Sequence, residues 1–258
     1  MQARSTSFKR IGLLALCLAL AGCLVTPVCM NLLRERATFR LIASIKQGDT
    51  QAALAFLRQG VDANARDSEE KPVPFWYQVV AAFRKAWRGE VKTGSVAKPH
   101  MLELAIRTKQ ALVVKALLES GADPNLVTAE GVPVLHLAVK EKQAEIVTYL
   151  LAHKASVDAR DRSGQTALML AAWAANLKIV QMLVAHGADI HARDKEGQTV
   201  LMYASSGGDP AIVKWLLAHG AKADVNVKDN MGYTPAMEAL RHASYEVESL
   251  LFEAGAKE

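Results

Sequence analysis

The chain has 258 residues, with 31 lysines and arginines against 26 acids and a formal charge of +5. Three of those bases (Arg4, Lys9, Arg10) lie in the first 22 residues, which hold no acid, so the remainder carries 28 bases against 26 acids, or +2. That balance gives no electrostatic footprint for a nucleic-acid partner, and three cysteines confined to positions 17, 23 and 29 leave no disulfide to brace the rest.

The first element is a basic stretch to Arg10, an apolar run over Ile11–Leu20 and the small residues Ala21 and Gly22 ahead of Cys23. This order is that of an export signal. Leu20-Ala21-Gly22-Cys23 resembles the lipobox of bacterial lipoproteins. The resemblance implies removal of residues 1–22, acyl chains on Cys23, and residues 23–37 as anchor and linker. Leu24, rather than Asp, points by that family's sorting rule to the periplasmic face of the outer membrane. Several acyl chains anchor stably where one does not. The alternative is an uncleaved signal anchor in the inner membrane. Ile11–Leu33 is 23 residues without a charge, long enough to span. Both readings put the rest of the chain outside the inner membrane. Without lipid on Cys23, that cysteine could pair with Cys29.

Leu41–Asp67 (LIASIKQGDTQAALAFLRQGVDANARD) fits two short amphipathic helices. The regular frame then fails, because 32 residues separate Asp67 from His100 where later units use a short link. Within this insertion, 68–99, Trp76, Val80, Phe83 and Trp87 are spaced 4, 3 and 4 apart, on one helical face, with Arg84, Lys85 and Arg88 alongside. Three uses suit such a helix: packing on the first repeats, meeting a partner, or lying on a membrane surface.

From His100 onward the chain repeats. Gly131, Gly164, Gly197 and Gly232 follow one another at steps of 33, 33 and 35 residues, and His100–Pro133 is one more period. Each unit opens with Pro133, Thr166, Thr199 or Thr234, where a hydroxyl can cap a first helix. Small residues Ala138, Ala171, Ala204 and Ala239 allow close approach, and a polar break precedes a second helix such as Ile179–Val184. Ser205-Ser206-Gly207-Gly208 reads as one such break, a flexible loop between helices. Gly187 and Gly220 supply left-handed ends. A fixed period of this length means stacked supersecondary units.

Thr234-Pro235 and Val134-Leu135-His136-Leu137-Ala138 together carry the signature of the ankyrin repeat family, which the chain resembles over roughly 38–67 and 100–258. The resemblance implies an all-α solenoid of about six helix pairs with hairpin links, filling 38–258 and interrupted by the insertion. Two departures stand out. Lys154 replaces a helix-ending glycine and should weaken that cap, and residues 221–225 carry two extra positions that should distort one hairpin. Gly255-Ala256-Lys257-Glu258 reads as a polar terminal cap.

Chemistry is hard to place on this chain. His153, His186 and His219 recur one period apart, but stacked helices lie about 8–10 Å apart and zinc takes its ligands at about 2 Å, so they suit turn or capping roles. His136 matches the family's structural histidine. No phosphate loop, HExxH or GxSxG motif appears. We therefore expect no catalytic residue, metal or cofactor. The family's partner surface, a concave face of hairpin tips and first-helix ends, maps here onto Trp173 and Tyr233 as anchors, with Arg107, Lys140, Arg162, Lys195 and Arg241 steering. The expected protein is a monomeric, non-catalytic binding lipoprotein of the bacterial envelope: an immunity or inhibitor protein, or a stress-linked scaffold. The alternatives are a membrane-surface structural protein acting through the insertion helix and a regulatory subunit of an envelope enzyme.

Overall fold

The computed structural model describes residues 37–64 and 100–257. These form six helix pairs in sequence. The first is α1 (37–47) with α2 (Thr50–Arg58). There follow α3 (Met101–Arg107) with α4 (Ala111–Glu119), α5 (Val134–Lys140) with α6 (Ala144–Ala152), and α7 (Ala167–Trp173) with α8 (Leu177–Ala185). The last two are α9 (Val200–Gly207) with α10 (Pro210–Ala218), and α11 (Pro235–Arg241) with α12 (Tyr245–Glu253). The signal, Cys23 and the insertion with Trp76, Phe83 and Trp87 lie outside the described residues. Among the described residues no helix is long and apolar enough to cross a membrane.

Helix starts follow the hydroxyl pattern. The Thr166, Thr199 and Thr234 side chains accept from the backbone N–H of Met169, Met202 and Met237 at 3.3–3.4 Å. Pro133 has no such group and caps only by its fixed backbone. Helix ends are set by one residue in the left-handed region. After the second helices these are Gly60, Gly121, Lys154, Gly187 and Gly255, with Gly220 at a wider positive φ of 121°. Lys154, at φ +65°, keeps the bonds a glycine would make: its N–H reaches Leu151 O and that of Ala155 reaches Leu150 O. After the first helices the same role falls to Gly48, Lys109, Lys142, Ala175, Gly208 and Ala243.

Ala138, Ala171, Ala204 and Ala239 are fully buried, and each first helix packs on the next through them. α7 and α9 approach most tightly where Gly207 faces Trp173. A Cβ at Gly207 would stand 2.7 Å from Trp173 O. Ser205-Ser206-Gly207 is therefore helical, contrary to its reading as a flexible loop. Ser205 is buried and donates to Leu201 O at 2.8 Å, and only Gly208 turns the chain.

A ladder of side chains ties each second-helix turn to the next. Asn125 Oδ1 accepts from Ser156 N, Asp158 Oδ1 from Asp189 N, and Asn226 Oδ1 from Lys257 N, at 2.7–3.0 Å. Asn64 does the same across the insertion, accepting from Asp123 N at 2.9 Å and donating to Gly121 O at 3.0 Å. Gln110 reaches back to Ile45 O as Gln143 does to Ile106 O. The first two pairs are thus stacked in register.

The hairpin after the two extra residues near 221 lacks the β-bridge that Val127–Pro133, Arg160–Thr166 and Arg193–Thr199 make in the three before it, as expected of a distorted link. The extra residues are taken up in a 3-10 turn, Ala221–Asp224, while the tip keeps its bonds from Asp229 N to Tyr233 O and from Gly232 N to Asp229 O. The last unit exposes apolar as well as polar side chains. Met237 is 40% exposed where Met202, one unit earlier, is 1% exposed, and Leu240 and Phe252 are also exposed.

Candidate functional site

The seventh residue of each first helix from α3 onward holds the same place in its unit, so its side chain repeats along one edge of the stack. In order these are Arg107, Lys140, Trp173, Ser206 and Arg241. A second row comes from the hairpin tips, where Asp161, Asp194 and Asp229 each accept from two backbone N–H groups of their own turn. These acids build the turns and are committed there. The tips project Arg162, Lys195 and, beyond Asp229, Met231, which is 79% exposed.

Both terminal arginines of the helix row are held by carboxylates. Arg107 Nε donates to buried Glu103 at 2.9 Å, and its Nη2 lies 3.7 Å from Glu130. Glu130 sits below its ordinary carboxylate range because the Thr128 hydroxyl hydrogen-bonds it, with Arg107 and Arg162 adding to the effect. Arg241 Nη1 donates to buried Glu238 at 2.7 Å, and its guanidinium lies 4.8 Å from the centre of the Tyr233 ring. Ser206 Oγ donates to the other Glu238 oxygen at 3.2 Å. Trp173 is 58% exposed in the middle of the row. Tyr233 is only partly exposed, because Arg241 covers its face. Lys140 and Lys195 are exposed, whereas Arg162 lies back across the previous tip, donating to Ala129 O at 3.0 Å.

Sequence reading missed Tyr203. Its hydroxyl donates to Asp194 Oδ2 at 2.8 Å and accepts from Gln165 Nε2 at 2.7 Å, linking two tips. Burial, then the Asp194 hydrogen bond and charge, raise its pKa well above the ordinary value, so it stays a neutral donor. No repeating signal marks it, since Leu137 and Leu170 fill the equivalent position in earlier units.

The histidines take the roles their spacing suggested. Nδ1 of His153, His186 and His219 hydrogen-bonds the carbonyl four residues back, in Tyr149, Met182 and Trp215, at 2.7–2.9 Å. His136 is fully buried, and its Nε2 donates to Gln165 O at 2.8 Å in the next unit. Among the described residues no cluster of three metal-ligating side chains forms.

A family model for ankyrin repeats in three copies matches residues 102–194 and 187–258. The chain belongs to the ankyrin repeat family. The match begins at the second helix pair. The first pair joins the ankyrin stack through the Asn64 and Gln110 bonds rather than through its sequence. No curated protein matches the chain. Ankyrin repeats suggest a protein-interaction role.

Proposed function

We propose that this protein is a non-catalytic binding module, held by acyl chains on Cys23 at the periplasmic face of a bacterial outer membrane. It grips a protein partner with the concave face of its repeats. The observation that carries the binding role is Trp173: a tryptophan 58% exposed in the middle of an ordered row is an unusual use of a large apolar side chain. Around it the helix row supplies Arg107, Lys140 and Arg241, and the tips supply Arg162 and Lys195. The anchoring part rests on the basic start and Leu20-Ala21-Gly22-Cys23. An immunity or inhibitor protein and a stress-linked scaffold are the two versions of this role that the face serves.

Two measurements test the parts separately. Cys23→Ser should abolish metabolic acyl labelling and leave an unprocessed or soluble species, and unchanged labelling refutes the anchor. A pull-down from envelope extract should recover a partner with the wild-type protein and lose it with Trp173→Ala. A partner retained in full by that variant would remove this face from the role.

A further inference from the structure

We propose that the face around Trp173 selects an acidic partner segment carrying one bulky apolar side chain, which seats between Trp173 and Arg241. This rests on the partner-binding reading above and adds the chemistry of the partner. Three observations converge on it. The helix row carries large side chains at every described unit but one: between Trp173 and Arg241 it narrows to Ser206 and Gly207. Gly207 cannot be replaced by a larger residue without meeting Trp173 O and Ala172 O, so the low floor is built into the packing. With successive helices about 8–10 Å apart, the gap over that floor is wide enough for one aromatic or branched side chain against the exposed indole.

One wall of the gap is fixed. Arg241 is pinned by Glu238 and by the Tyr233 ring, and Ser206 shares Glu238. A guanidinium already ordered loses little freedom on binding a carboxylate through its remaining N–H groups.

Charge decides the flanks. Glu103 and Glu238 are buried against their arginines, Glu130 lies near Arg107 and Arg162, and Glu141 is 3.4 Å from Lys109. At the first-helix ends and hairpin tips of this face, that leaves the exposed Lys140, Lys142 and Lys195 against Glu196 with no ion pair among the described residues. Carboxylates on either side of the seated side chain meet those lysines.

The test uses the full chain in neutral detergent and three fluorescent peptides of equal length: acidic with a central tryptophan, acidic with a central serine, and basic with a central tryptophan. Anisotropy should show binding of the first, at least about tenfold weaker binding of the other two, and loss of affinity with added salt. Trp173→Ala and Arg241→Gln should each weaken the first peptide about tenfold, and circular dichroism should confirm that both variants are folded. Equal binding of the basic peptide, or no effect of either substitution, overturns the proposal. So does the absence of all peptide binding. A photo-crosslinking residue at Ser206, used in cells, separates the two claims. Adducts formed there despite failed peptides leave the partner-binding reading standing without the acidic specificity, and the absence of adducts removes both.

Discussion

Gly187 sits at φ +87° with nothing within 4 Å of where a Cβ would stand, so the only obstacle to a side chain is the backbone conformation. Gly207 is helical, and its obstacle is space: Trp173 O and Ala172 O lie 2.7 and 2.9 Å from the same construction. Gly187→Val should therefore cost about 1–3 kcal/mol through strain in the left-handed region. Gly207→Ala should cost a similar ~1–3 kcal/mol through overpacking of α7 on α9. Gly187→Asn, which tolerates that region, should recover most of the first loss, whereas no side chain recovers the second. Urea unfolding of the four proteins decides it. His136 adds a pH term. Its Nε2 must carry the proton that Gln165 O accepts, which leaves buried Nδ1 without a partner. Burial, the dominant cause, lowers its pKa below the ordinary 6.5. A depressed histidine pKa means the unfolded chain takes up the proton first. Stability should then be level above pH ~6.5 and fall as pH drops below it. His136→Gln should flatten that part of the profile in thermal melts at pH 7 and pH 5, and an unchanged slope would assign it to other groups.

At the scale of the helix pair, what ends each helix matters more than what fills it. The glycines at 121, 187 and 255 advertise left-handed ends, and the threonines at 166, 199 and 234 advertise caps, so those boundaries were legible. The ends of the first helices were not. Lys109, Lys142, Ala175 and Ala243 occupy the same conformation at φ +54° to +59°, and nothing in those residue types announces it. Only the shared frame does. Gly208 instead drew the whole run from Ser205 into an apparent loop, because two serines and two glycines look like a break whether or not a helix passes through them. The strain in the non-glycine ends can be measured. Lys154, at φ +65°, holds the bonds of a glycine cap while bearing a Cβ. Lys154→Gly should raise stability by about 1 kcal/mol, seen as a shift in the urea midpoint at constant slope. A loss would mean the lysine's other contacts outweigh its backbone strain. The candidate face was legible for the same reason the fold was: a period places Arg107, Lys140, Trp173 and Arg241 in one row before any coordinate is known. Its contacts were not, since pinning of Arg241 by Tyr233 and Glu238 joins residues whose types do not predict each other.

Over the whole molecule, stability in a stack of this kind is close to a sum of unit and neighbour terms. The junction between the first and second pairs is made like the others. Asn64 caps the 121–123 turn and Gln110 reaches Ile45 O, while Leu41, Ile42 and Ile45 are buried in a core continuous with Met101 and Leu102. Nothing in these bonds requires residues 65–99. Sequence reading gave the insertion's aromatic face three possible uses, one of them packing on the first repeats, and these residues lie outside the described ones. Replacing 68–98 by a short tip with the sequence of 162–164 should leave the melting temperature within about 2 °C of wild type. It should also leave amide protection in α1 and α2 unchanged in hydrogen exchange. Trp76, Phe83 and Trp87 would then be free for a partner or a membrane surface. If the replacement instead lowers the melting temperature and strips protection from the first pair alone, the insertion is part of the stack's N-terminal core. The local character of the loss would distinguish that from general misfolding, because a stack transmits a defect mainly to its neighbour.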